Sequence, residues 1–111
     1  MRSMRRLIEG SIPHPARSEL RAAVRWYNGK RSGLGREFND EVKRATKRIA
    51  EFPEAWPHIS QNARRFLLTR FPYGLIYLVE GKTILIVAVM HLSRNPITWQ
   101  RRLEEIEGSP R

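Results

Sequence analysis

The chain has 111 residues, 41% of them hydrophobic and 9% aromatic, enough for one modest core and too few for two. It has no cysteine, which excludes disulfides and thiolate metal sites, and its three histidines (His14, His58 and His91) stand too far apart for ligand spacing, so no metal or cofactor is expected. Twenty-one Lys and Arg against eleven Asp and Glu give a net charge of +10, so the expected partners are polyanions, either nucleic acid or a strongly acidic protein.

"MRSMRRLIEG" at the N-terminus has basic residues but no apolar run long enough for a signal peptide. The longest apolar run, Thr83 to Met90, falls far short of the roughly 20 residues of a membrane span, so a cytoplasmic protein is expected. Residues Arg5 to Ile12 read as a short first strand, although their alternation is poor. Pro13 and Pro15 break the chain. Ala16, Leu20, Ala23, Val24 and Tyr27 then recur at helical spacing and predict an amphipathic helix from about Ala16 to Lys30. After the punctuation of Ser32 to Gly35, a second stripe runs through Leu34, Phe38, Val42, Ala45, Ile49 and Phe52, with Pro53 as its stop. Two helices joined by a short glycine turn make a helical hairpin.

Pro53 to Asn62 reads as a loop. Beyond it the pattern becomes extended, with strands predicted over Arg64 to Phe71, Tyr73 to Glu80 and Thr83 to Met90. Glu80 to Lys82 fits a tight hairpin turn. The last strand is apolar on both faces and belongs in the middle of the sheet. Pro96 to Gly108 predicts a short C-terminal helix. The whole reads as a single α+β domain over residues 1–111, a helical hairpin packed on a mainly antiparallel four-stranded sheet. The order is β-α-α-β-β-β with the C-terminal helix last, and the other sheet face is left partly open.

The stretch "HLSRNPITWQRR", from His91 to Arg102, follows the most apolar strand and gathers His91, Arg94, Trp99, Arg101 and Arg102. The strand "RRFLLTRF" contributes Arg64, Arg65 and Arg70. Together these seven cations and aromatics, with His91, form the candidate surface for target or nucleic acid, because guanidinium pairs bidentately with phosphate. Each has a plainer reading. His91 can cap its strand, Arg94 with Asn95-Pro96 can fix a turn, Trp99 can be core, and Arg64 and Arg65 can guard an edge strand.

"ELRAAVRWY", "GLGREF", "IAEFPEAWP", "RRFLLTRFPYGLIYLVE" and "ILIVAVMHLSRNPITWQRR", in this order and spacing, resemble the RelE/ParE toxins of bacterial type II toxin–antitoxin modules. The resemblance covers most of the chain from the first helix onward. It implies a small basic growth-inhibiting toxin held silent by a wrapping, acidic cognate antitoxin, and hence a hetero-oligomer. RelE-like members cut mRNA on the ribosome without metal or cofactor, and ParE-like members inhibit DNA gyrase. Under the first activity, His91, Arg65 and Arg94 match positions of catalytic groups, and Arg65 and Arg70 match phosphate-binding arginines. Metal-free RNA cleavage needs a base, cations for the phosphorane and an acid for the leaving oxygen. Here the tail after Pro96 has no Tyr, His or Lys, and indole cannot do acid–base work. That departure favours a bound target, gyrase or one unassigned. A non-toxic basic nucleic-acid-binding module is the reading of another class.

Overall fold

The computed structural model describes residues 6–7 and 14–107. Helix α1 spans His14–Lys30 and α2 spans Leu34–Glu51. The strands are β1 (Ala63–Leu67), β2 (Tyr73–Glu80) and β3 (Thr83–His91), and α3 spans Ile97–Glu107. The antiparallel sheet formed by these strands is three-stranded and the order from α1 onward is α-α-β-β-β-α, where four mainly antiparallel strands in the order β-α-α-β-β-β were expected. Of the expected first strand, only Arg6–Leu7 pairs, in parallel with Thr83 and Ile84, and the rest lies outside the described residues. Gly108, the expected end of α3, also lies outside the described residues.

The α2 stripe buries Phe38, Val42, Ala45 and Ile49 against Leu75, Tyr77, Ile84 and Ile86 of the sheet. Phe52 leaves the stripe because the helix has already ended at Glu51; its backbone turns (φ −134°, ψ 65°) and the ring stands about half exposed. Trp26 is likewise exposed, while its neighbour Tyr27 stacks on Phe38 at 5.2 Å. The hairpin closes at Gly33, whose φ of 88° suits glycine, and at Gly35, where a Cβ would come within 2.4 Å of the Val24 carbonyl oxygen. Asn28 Oδ1 accepts the backbone N–H groups of Gly33 and Gly35, taking the place of a conventional N-cap for α2.

Strand β1 stops at Leu67, short of the expected Phe71. The buried Glu41 of α2 explains why: its Oε2 accepts the N–H of Thr69 at 2.6 Å and of Arg70 at 3.2 Å, so those donors leave the ladder. The chain turns there and Phe71 goes into the core. A β-bulge lies between β2 and β3: Ile76 pairs with Ala88 and Tyr77 with Ile86, leaving Val87 as the extra residue. Ile84, Ile86 and Val89 therefore face the hairpin, and Val87, Ala88 and Met90 face the other way. The face expected to stand partly open carries α3, whose Trp99 and Leu103 complete a second core cluster with Ala63, Ile76, Leu78 and Met90.

Tyr77 is fully buried and donates its hydroxyl hydrogen to the Pro53 carbonyl at 2.6 Å. Burial pushes its phenol up to about 12, with Arg64 pulling weakly the other way. The unfolded chain ionises this group from about pH 10, the folded one only near pH 12, so its stabilising share is complete below pH 10 and is lost across that window. Urea melts at pH 9 and pH 11.5 should show the wild type losing about 2 kcal/mol more than Tyr77→Phe. Equal losses in the two proteins would remove Tyr77 as the cause.

Candidate functional site

His91 ends β3 opposite Tyr73, the first residue of β2, and their rings meet edge to face at 5.2 Å. The chain then turns tightly. The N–H of Arg94 donates to the His91 carbonyl, and the N–H of Leu92 donates to the Pro72 carbonyl. Asn95 Oδ1 accepts the N–H of Ile97 at 3.0 Å and starts α3, so Asn95 and Pro96 do serve as the turn that leads into the helix.

This turn brings His91, Arg94, Pro96 and Trp99 around a small cavity of about 60 Å³ shared with Arg65 and Gly74. Gly74 makes room for the arginine, since a Cβ there would lie 3.1 Å from Arg65 Cδ. On its other side, His91 with Arg94 borders a groove of about 640 Å³ walled by Ala22, Ala23, Trp26, Tyr27 and Tyr73. His91 and Arg94 are thus the rim between an apolar groove and a cationic corner. Burial raises the Tyr73 phenol above its ordinary range, with nearby Arg94 lowering it and Glu19 raising it.

The backbone N–H of Ser93 donates to His91 Nδ1 at 3.0 Å, and the Ser93 hydroxyl lies 2.8 Å from the same nitrogen. An N–H cannot accept, so Nδ1 carries the lone pair and the neutral ring holds its proton on Nε2. The outward nitrogen is then a donor, suited to an acceptor on a partner and unsuited to removing a proton from a 2′-hydroxyl.

Of the residues predicted for this surface, Arg65, His91, Arg94 and Trp99 come together and the others do not. Trp99 is 9% exposed and serves the core under α3. Arg64 is spent on backbone carbonyls, those of Trp56 at 2.6 Å and Glu54 at 3.1 Å. Arg70 sits at the α2 side of the molecule and donates to Glu37 at 2.7 Å, and this bond holds the Glu37 carboxyl below its ordinary range. Arg101 is exposed on α3. Arg102 is not offered to a partner. Its Nη1 donates to Glu19 Oε1 at 3.0 Å and to the Val87 carbonyl at 2.8 Å, while Nη2 donates to Glu19 Oε2 at 3.0 Å.

Three residues of this region were not singled out from the sequence as part of it: Glu19, Trp26 and Tyr73. Glu19 is the one carboxylate in α1, among three arginines, and that isolation is a legible signal of a specific partner. Trp26 and Tyr73 carry no such mark, because core aromatics have the same spacing.

No helix among the described residues is long and apolar enough to cross a membrane. No curated protein matches the sequence. Among solved structures, the fold is similar to "Chromosomal ParDE TA system from P. aeruginosa", with a TM-score of 0.64 and 18% identity over 71% of this chain and 89% of that one. The family model described as "ParE toxin of type II toxin-antitoxin system, parDE" matches residues 11–96, and by that span the chain belongs to the ParE toxin family of the RelE/ParE superfamily.

Proposed function

We propose that this chain arrests growth by binding DNA gyrase and that an acidic cognate antitoxin wraps and silences it. Family membership supports the toxin role, and the similar ParDE structure supports an antitoxin as the partner. The observation that carries the target is the His91 tautomer: with Nδ1 committed to the Ser93 N–H, the rim presents donors and cations but no base. Arg65 and Arg94 beside it stabilise an anion without transferring a proton. The apolar groove walled by Trp26, Tyr27 and Tyr73 supplies contact area of the kind that aromatic anchors give at protein interfaces.

Purified protein added to gyrase, relaxed plasmid and ATP should block supercoiling, while primer extension on translated messages shows no new cuts. Arg65→Ala combined with Arg94→Ala should abolish growth arrest, and Arg70→Ala should leave it intact because Arg70 lies with Glu37, away from the rim. Unimpaired supercoiling together with message cuts that vanish in His91→Ala would reverse the target. That second reading, a ribosome-dependent mRNA endonuclease, draws on the Tyr73–His91 ring contact beside Arg94, where two titratable side chains meet a cation. A non-toxic nucleic-acid-binding module predicts salt-sensitive binding to DNA or RNA and no effect on growth.

A further inference from the structure

Between α2 and the turn that follows β1 lies a separate hollow of about 320 Å³, which shares no residue with the groove or the cavity at the His91 rim. Arg44 and Arg48 stand along its α2 bank, one helical turn apart, and Thr69 and Arg70 form the opposite bank. Half-buried Phe66 supplies an aromatic side. Three guanidinium groups therefore border one small space, and all three arginines are exposed.

Two of the three are held in place. Arg70 donates to Glu37 at 2.7 Å, and Arg48 lies 5.8 Å from the ring of Trp56, which itself packs on Phe66 at 4.6 Å. Arg44 makes no ion pair among the described residues. The hollow also contains a carboxylate. Glu41 is 8% exposed, and its Oε2 fixes the turn through the N–H groups of Thr69 and Arg70. Its other oxygen, Oε1, is buried and has no hydrogen-bond partner among the described residues. A bare buried acceptor weakens the fold, and an acidic group facing cations that it does not neutralise serves no packing purpose. The two features together ask for a ligand that is anionic at one end and a hydrogen-bond donor at the other.

We propose that this hollow binds a guanine nucleotide, its phosphate on Arg44 and Arg48 and its base edge against Glu41. The site is independent of the gyrase reading. From Glu41 to Arg48 the helix rises about 10 Å, the reach of a mononucleotide from base edge to phosphate. Guanidinium groups pair bidentately with phosphate oxygens. A carboxylate only accepts hydrogen bonds, and guanine sets N1–H beside its amino group, two donors in a row. Adenine places the N1 lone pair beside its amino group and so sets an acceptor against an acceptor. The base lies along Phe66, with the guanidinium plane of Arg70 at its rim. Other polyanions fit less well. An acidic peptide brings further acceptors to Glu41, a duplex keeps its base donors paired inside, and inorganic phosphate has no flat face for Phe66.

The test uses the purified full chain, with GMP, AMP, inorganic phosphate and a duplex of about 20 base pairs as probes in calorimetry. GMP should saturate one site per chain, with AMP weaker by about tenfold or more. Arg44→Ala with Arg48→Ala should weaken GMP by about 30-fold or more, and Arg101→Ala on α3 should leave it unchanged. Glu41→Gln is isosteric. Its amide oxygen keeps the Thr69 and Arg70 donors, which turns the NH2 group to the place of Oε1. The preference should then pass to AMP, a reversal that a merely structural role of Glu41 does not produce. Thermal melts of each variant report folding. If Glu41→Gln fails to fold, the wild-type ratio of GMP to AMP and the exposed arginine pair still decide the matter. No saturation by GMP at about 1 mM, or equal binding of GMP and AMP by the wild type, overturns the proposal. An unchanged preference in folded Glu41→Gln also overturns it. Inorganic phosphate binding as tightly as GMP reduces the hollow to an anion patch, and duplex binding that needs Arg44 and Arg48 without any GMP binding assigns it to nucleic acid; either result overturns the nucleotide. Growth arrest is not a readout here, so failure leaves the toxin reading standing.

Discussion

Arg102→Ala should lower unfolding stability by about 3 kcal/mol, visible as a fall of roughly 12 °C in thermal midpoint for a domain of this size. The arginine joins three elements. Its guanidinium pairs bidentately with Glu19 on α1, donates to the Val87 carbonyl on β3, and belongs to α3, and its side chain is only 15% exposed against 17% for Glu19. Removal leaves a mostly buried carboxylate whose remaining donor is the N–H of Val89 at 2.9 Å, and a carbonyl without its partner. An exposed pair, by contrast, contributes about 1 kcal/mol or less. Glu19→Gln keeps the hydrogen bond to Val89 and should cost less than Arg102→Ala. The double variant should cost at least 1 kcal/mol less than the two single losses added together. Strict additivity in that cycle would mean that the two side chains do not act as a pair.

The second large effect is expected at Gly35. Alanine there places a Cβ 2.4 Å from the Val24 carbonyl oxygen and 3.1 Å from Val24 Cγ1. The obstacle is backbone on a packed helix, which cannot swing aside as a side-chain end can. The two helices must separate, at a cost of about 2 to 3 kcal/mol. Gly29 provides the contrast. It lies in α1 with open space around it and no positive φ, so Gly29→Ala should stabilise by about 0.5 to 1 kcal/mol through the better helix former. Chemical denaturation of both variants checks the opposite signs. A Gly35→Ala protein as stable as the wild type would show that the hairpin has room it is not seen to have.

Periodicity made the hairpin and the strand pairing readable in advance. Leu34, Phe38, Val42, Ala45 and Ile49 could only be one buried face, and a strand apolar on both sides had to lie centrally. The number of strands was not readable in the same way. Parallel pairing of Arg6–Leu7 with β3 depends on a neighbour about 77 residues away, and nothing in the local pattern sets how many residues will join. The early end of β1 was hidden for the same reason, since the acceptor that draws off Thr69 and Arg70 is Glu41 on another element.

The candidate site was half legible. Sequence places His91 and Arg94 at the end of the central strand, and the antiparallel register then brings Arg65 beside them. It cannot say which arginines remain available. Arg65 and Arg102 look equivalent as letters, yet one borders a cavity and the other is consumed by Glu19. Charge counts total the cations and are blind to their pairing. The tautomer of His91 depends on the amide of Ser93, a backbone group that composition does not record.

One surplus residue in β3 governs which way the rim looks. Side chains on a strand alternate, so an unbroken run from Ile84 and Ile86 would aim Met90 at the hairpin and His91 beneath α3. The slip at Val87 resets that parity by one step, and His91 emerges instead beside Tyr73 at the mouth of the groove. Ironing out the slip with all nine residues kept would turn the imidazole to the far side of the molecule, whereas deleting Val87 would leave Ala88 opposite Ile76 and His91 still opposite Tyr73.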